Sequence, residues 1–156
     1  MTRRIIAVIG GGTCTPDETA LAEETGRLIA DGGAVLVCGG LSGVMEAACK
    51  GAKANGGVTV GILPGADPAA ANRYIDVPLA TGLGEMRNFL IVRTAHALIA
   101  IGGGVGTLSE IALAQRIGKP IVGLHDSFSK AVDIPRVQTA HEAVTWALER
   151  AREGVV

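Results

Sequence analysis

Along the chain, short unbroken apolar runs alternate with longer stretches where apolar residues return every three or four positions. The short runs are rich in β-branched residues and stop at glycine, as strands buried on both faces do. The first covers Arg4 to Ile9 and ends at Gly10-Gly11-Gly12. Thr15-Pro16-Asp17-Glu18 then predicts a helix start, with Thr15 as N-cap, Pro16 at the first position and Glu18 closing a capping box. This helix runs to Asp31 and stops at Gly32-Gly33. Ala34 to Cys38 and Val58 to Leu63 read as the second and third strands. Between them lies a helix from Val44 to Ala54, ended by Asn55-Gly56-Gly57. Ala66 to Gly84 is the least regular stretch, with a short strand predicted at Tyr74 to Val77. A helix over Glu85–Ala95, a strand over Ala97–Ile101 and a helix over Thr107–Ile117 follow. A strand over Ile121–Leu124 and a helix from Thr139 to Arg152 complete the order.

Strand–helix alternation with continuous apolar strands predicts an α/β fold: a Rossmann-like, doubly wound, mainly parallel sheet flanked by helices. At 156 residues the chain is expected to form one domain. Ligands of such sheets sit beyond the carboxyl ends of the strands. Three glycine-rich loops fall there: Gly10 to Cys14, Gly39 to Gly43 and Gly102 to Gly106.

Composition narrows the partners. Hydrophobic residues make up 48% and charged residues 19%, which excludes a disordered chain. Glycine accounts for 23 residues, about twice the usual share. The net charge is −1 and the only tight basic pair is Arg3-Arg4, so no nucleic-acid partner is expected. That argues against the DNA-processing Rossmann proteins as a functional match. No apolar run is long enough for a membrane span, and Ile5 to Ile9 is too short for the core of a signal peptide. Three cysteines form no CxxC pair, so a cytoplasmic, reduced protein is expected. Cys38 and Cys49 read as core, and Cys14 as a small filler of the first loop. His96, His125 and His141 are scattered without ligand spacing, so no metal site is expected.

A glycine loop entering a helix favours a phosphate, and two ordinary fingerprints fail here. No Gly-Lys-Ser/Thr run exists, and a dinucleotide loop starting at Gly102 would need glycine where Thr107 stands. What remains is GGGVGTLSE over Gly102–Glu110, preceded by GEMRNFLIV over Gly84–Val92. With VCGGLSGVM at Val37–Met45 and VGILP at Val60–Pro64, these motifs resemble those of the LOG phosphoribohydrolases, including the spacing from Arg87 to Gly103.

The resemblance implies cleavage of the N-glycosidic bond of nucleoside 5′-monophosphates, with Arg87 and Glu110 catalytic and no cofactor required. A carboxylate can stabilise the oxocarbenium-like sugar, and an arginine can clamp a phosphate. Gly39, Gly40, Gly43, Gly103, Gly104, Gly106 and Thr107 would hold the phosphorylated ligand. Two positions depart from the family pattern: Asn88 replaces the lysine after the arginine, and Gly102 the proline opening the loop. A sister branch with the GGGxGTxxE form includes molybdenum-cofactor carrier proteins, which bind a phosphorylated pterin and catalyse nothing. Hydrolysis leads and the carrier reading stays open beside it. Resembling proteins also imply a homodimer or homotetramer, which the apolar helix Met86–Ala95 would suit.

Plainer roles compete with these. Thr107…Glu110 has capping-box spacing, as do Thr15…Glu18 and Thr139…Glu142. Arg87 taken alone would be an exposed helix arginine. Asn72-Arg73-Tyr74 reads equally as a flap over a ligand or a solvated loop, and Phe89 and Trp146 read as packing residues.

Overall fold

The computed structural model describes residues 3–125 and 132–153. Seven parallel strands form one sheet: β1 (Ile5–Gly10), β2 (Val35–Cys38), β3 (Thr59–Leu63), β4 (Val77–Ala80), β5 (Ala97–Ile101), β6 (Ile121–Leu124) and β7 (Arg136–Val137). Their spatial order is β4-β3-β2-β1-β5-β6-β7. The chain builds one half of the sheet outward from β1, then returns through β5 to build the other. Registers such as Ala7↔Val37 and Ala7↔Leu98 place β1 at the centre.

Side chains of a strand alternate between faces, and here they feed two cores. Ile6, Val8, Leu36, Cys38, Ile99 and Val122 pack toward α1 (Pro16–Asp31), α2 (Val44–Ala54) and α5 (Ala140–Glu153). Ala7, Ile9, Val37, Leu98 and Ile121 pack toward α3 (Arg87–Thr94) and α4 (Val105–Arg116). Both faces are covered, which is why the strands read as unbroken apolar runs. Ile, Val, Leu and Ala fill most of these layers, with Cys38, Cys49 and Met45 among them. Trp146 is partly buried and stacks under the Arg150 guanidinium, whereas Phe89 is exposed rather than packed.

Three elements differ from the expectations. The short strand lies at Val77–Ala80 rather than Tyr74–Val77. Asp76 explains the shift: its carboxylate accepts from the Thr59 N–H at 3.0 Å and pairs with Lys53, so the chain turns there before pairing with β3. Pro78 is tolerated because β4 is an edge strand. The short edge strand β7 was not anticipated. Finally α4 begins at Val105, two residues before Thr107, with Gly104 as N-cap and no side-chain cap. The box at Thr15 does form, Thr15 Oγ1 accepting from the Glu18 N–H at 3.1 Å and Glu18 Oε1 from the Thr15 N–H at 3.0 Å; at Thr139, Oγ1 accepts from the Glu142 N–H at 3.1 Å and donates to Glu142 Oε1 at 2.9 Å.

Candidate functional site

The strand order reverses between β1 and β5. Just beyond that reversal lies a cavity of about 250 Å³, in the crevice where open α/β sheets hold ligands. Its floor is the end of β1 and the loop Gly10-Gly11-Gly12; one wall is Gly39 and Met45. The opposite wall comes from Gly104, Gly106, Thr107 and Glu110 on α4. A third side comes from Glu85, Arg87, Asn88 and Ile91. Glu85 lies in a 3-10 turn, Gly84–Met86, that runs directly into α3.

The glycine loops are held to each other. The Val44 N–H donates to Gly11 O at 3.0 Å, and Ser42 Oγ to Gly12 O at 2.8 Å. Asn72 staples the second loop from outside, its N–H donating to Gly40 O at 2.9 Å and its amide nitrogen to Leu41 O at 2.8 Å. Arg73 lies over the Tyr74 ring. Of the Asn72-Arg73-Tyr74 triplet, Asn72 therefore serves as a brace. Gly39 leaves room for two side chains of the site. A Cβ there would come within 2.7 Å of Arg87 Nη2 and 2.8 Å of Met45 Sδ.

The early start of α4 changes what Glu110 can be. Gly102 and Gly103 adopt positive φ angles of 56° and 115°, turning the chain into the helix ahead of Thr107. Thr107 then sits one turn inside, buried, its hydroxyl packed against Gly103. No Thr107–Glu110 capping box exists. Glu110 instead projects into the cavity wall, 7% exposed. The N–H groups of the first turn of α4 stay free of helical partners, beside Gly104 and Gly106.

Arg87 is buried too, 9% exposed. One terminal nitrogen, Nη1, donates to Asn88 Oδ1. Its Nε is the one buried side-chain nitrogen or oxygen among the described residues without a hydrogen-bond partner. Burial lowers the Arg87 pKa, while Glu110 and Cys38 act in the opposite sense. Burial pushes the Glu110 carboxyl up to about 7, against the opposing pull of the Arg87 charge. The two groups sense each other without forming an ion pair or hydrogen bond. A guanidinium with a spare donor and a helix N-terminus thus face one cavity, with a carboxyl that is half protonated at neutrality. Such a site can take an anion and exchange one proton.

Of the residues singled out by sequence, Arg87, Glu110, Gly39, Gly104, Gly106 and Thr107 line this cavity together. Gly40, Gly43 and Gly103 do not; they shape the backbone behind it. Gly40 and Gly43 have positive φ, and a Cβ at Gly40 would run into Leu63. Glu85, Met45 and Ile91 also line the cavity and were not anticipated. The available signal was spacing: Glu85 and Ile91 flank Arg87 on the same helical run.

Comparison with known proteins agrees with this architecture. The chain is 44% identical over 144 residues to an uncharacterised protein of Archaeoglobus fulgidus, covering 92% of this chain and 93% of that one. It is similar to the structure of the molybdenum cofactor binding protein from Rippkaea orientalis, with a TM-score of 0.88 and 34% identity. That match covers 100% of this chain and 99% of the other. A cytokinin riboside 5′-monophosphate phosphoribohydrolase of Mycobacterium marinum is 33% identical over 121 residues. There the alignment covers 76% of this chain and 64% of the relative. Residues 3–151 match the SLOG cluster4 family, and the chain belongs to that family.

Proposed function

We propose that the cavity binds a phosphorylated heterocycle of the pterin or nucleotide type, and that the chain serves as a molybdenum cofactor carrier. The observation that carries the ligand class is Arg87: buried, cationic, and with Nε unpartnered beside the N-terminus of α4. A buried donor without a partner is costly unless a ligand completes it, and a phosphate next to a helix N-terminus does so. Likeness along the whole chain to the Rippkaea orientalis protein supports the carrier reading over hydrolysis, the activity expected first from sequence.

Glu110 favours hydrolysis of nucleoside 5′-monophosphates as a second reading. A carboxyl with a pKa of about 7 is matched to proton transfer at neutral pH. It would protonate the departing base nitrogen as the C1′–N bond breaks. The resulting carboxylate would stabilise the positive sugar and take a proton from the water that adds to C1′.

Two measurements on the purified protein separate these readings. Equilibrium binding of molybdenum cofactor should be tight and should fall about 100-fold in Arg87→Met. Base release from nucleoside monophosphates, followed by chromatography, should be absent under the carrier reading. If release occurs and drops roughly 10²–10⁴-fold in Glu110→Gln, hydrolysis replaces it.

A further inference from the structure

Asn88 has no role in either argument above, yet it is only 6% exposed and lines the cavity. Its Oδ1 accepts from Arg87 Nη1. A guanidinium can only donate, so this contact fixes the amide: oxygen toward Arg87, nitrogen away from it. The amide nitrogen finds no acceptor in the protein among the described residues. Asn88 therefore leaves its amide N–H donors unpaired at a residue that lines the cavity. Glu85 stands three residues earlier on the continuous helical run Gly84–Thr94. Residues three apart on a helix share a face, and Glu85 also lines the cavity, at its exposed side. A carboxylate offers two acceptors and no donor.

A donor beside a two-oxygen acceptor is complementary to one heterocycle edge: a ring carbonyl, then a ring N–H, then an exocyclic amine. Resting on the reading that the cavity takes a phosphorylated heterocycle, we propose that Asn88 and Glu85 form a subsite for the 2-amino-4-oxo pyrimidine edge shared by pterins and guanine. Asn88 Nδ2 donates to the ring oxygen, and the Glu85 carboxylate accepts from the ring N–H and the amine. Hypoxanthine lacks the amine and gives the carboxylate one donor. Adenine lacks the carbonyl and the ring N–H.

The test is calorimetric titration of the folded protein with GMP, IMP, AMP, 6-hydroxymethylpterin phosphate and, as a ring-free control, ribose 5-phosphate. GMP or the pterin phosphate should bind at least tenfold tighter than IMP and AMP. Whichever of the two is tighter identifies guanine nucleotide or pterin as the source of the edge. Glu85→Gln should bring GMP down to the level of IMP. Asn88→Asp keeps an oxygen for Arg87 but removes the donor, and should weaken the oxo-bearing probes at least tenfold. Ribose 5-phosphate should be unaffected by Glu85→Gln; Asn88→Asp sets a carboxylate against Arg87, so its effect on the oxo-bearing probes is read relative to its effect on ribose 5-phosphate. Equal affinity for GMP, IMP and AMP with a pterin phosphate no tighter, or losses in either variant no larger for GMP than for ribose 5-phosphate, overturns the subsite. If none of the five probes binds, the ligand class itself falls, and the subsite with it.

Discussion

Glu110 shows how one residue can couple stability to pH. In the unfolded chain its carboxyl titrates near 4.5, and burial in the cavity wall raises this to about 7. Between those values the folded state holds a proton that the unfolded state has released. The stabilisation is full below pH 4.5 and is lost as pH rises through 7. A shift of this size corresponds to roughly 3 kcal/mol. Glu110→Gln cannot ionise, so its advantage over the wild type should be small at pH 5 and should approach roughly 3 kcal/mol at pH 8. Urea denaturation at the two pH values measures it, and equal gains at both would show that Glu110 is not titrating in that window. Arg87 poses the complementary case. Its charge is buried without a carboxylate in contact, so Arg87→Met should leave stability unchanged or raise it by about 1 kcal/mol while removing anion binding. A large loss of stability on denaturation would mean that the protein, and not a ligand, is what the guanidinium serves.

At the scale of elements, α1 and α2 cross where each has a glycine. A Cβ on Gly26 would run into the Ala48 carbonyl, and one on Gly51 into the Glu23 carbonyl. Backbone cannot retreat as a side chain can, so Gly26→Ala and Gly51→Ala should each cost about 1–3 kcal/mol. Both glycines sit inside helices, where alanine normally stabilises, so chemical denaturation gives a result of opposite sign to propensity. That crossing was not legible in the sequence, because a glycine inside a helix pattern says nothing about which backbone approaches it. Strands β1, β2, β3, β5 and β6 were legible to within a residue, since burial on both faces makes each an unbroken apolar run. Local chemistry misled at two places. Thr107…Glu110 has the spacing of a cap, but the positive φ angles at Gly102 and Gly103 start α4 earlier. Tyr74–Val77 has the look of a strand, but the Asp76 carboxylate ties that segment to Thr59 and Lys53. In each case a contact between distant residues or a glycine conformation decided the boundary. The cavity was legible as glycine loops and two charged residues. Glu85 and Asn88 gained their place only from the turn that feeds α3.

At the scale of the whole molecule, the two halves of the sheet meet at the cavity, and most of the large exposed hydrophobics fall in one stretch of chain, from the edge strand β4 to α3. Val77 and Leu79 on the edge strand, Leu83 and Met86 at the turn, and Phe89 and Leu90 on α3 are all exposed, Met86 to 76%. Among the described residues only Val105 adds another large exposed hydrophobic. Together the six leave on the order of 500 Å² of apolar side chain in water, at the upper end of what a monomer shows and most of one side of a standard interface. Between Val77 and Leu90 the only charged residues are Glu85 and the buried Arg87. A face with so little charge can meet its own copy without like-charge contact, as a two-fold interface requires. The expected outcome is that the chain sediments as a dimer or a larger closed assembly at micromolar concentration. The double variant Met86→Glu, Phe89→Ser should sediment as a monomer with unchanged circular dichroism. A monomeric wild type would refute the interface, and an assembly indifferent to both substitutions would move it to another face.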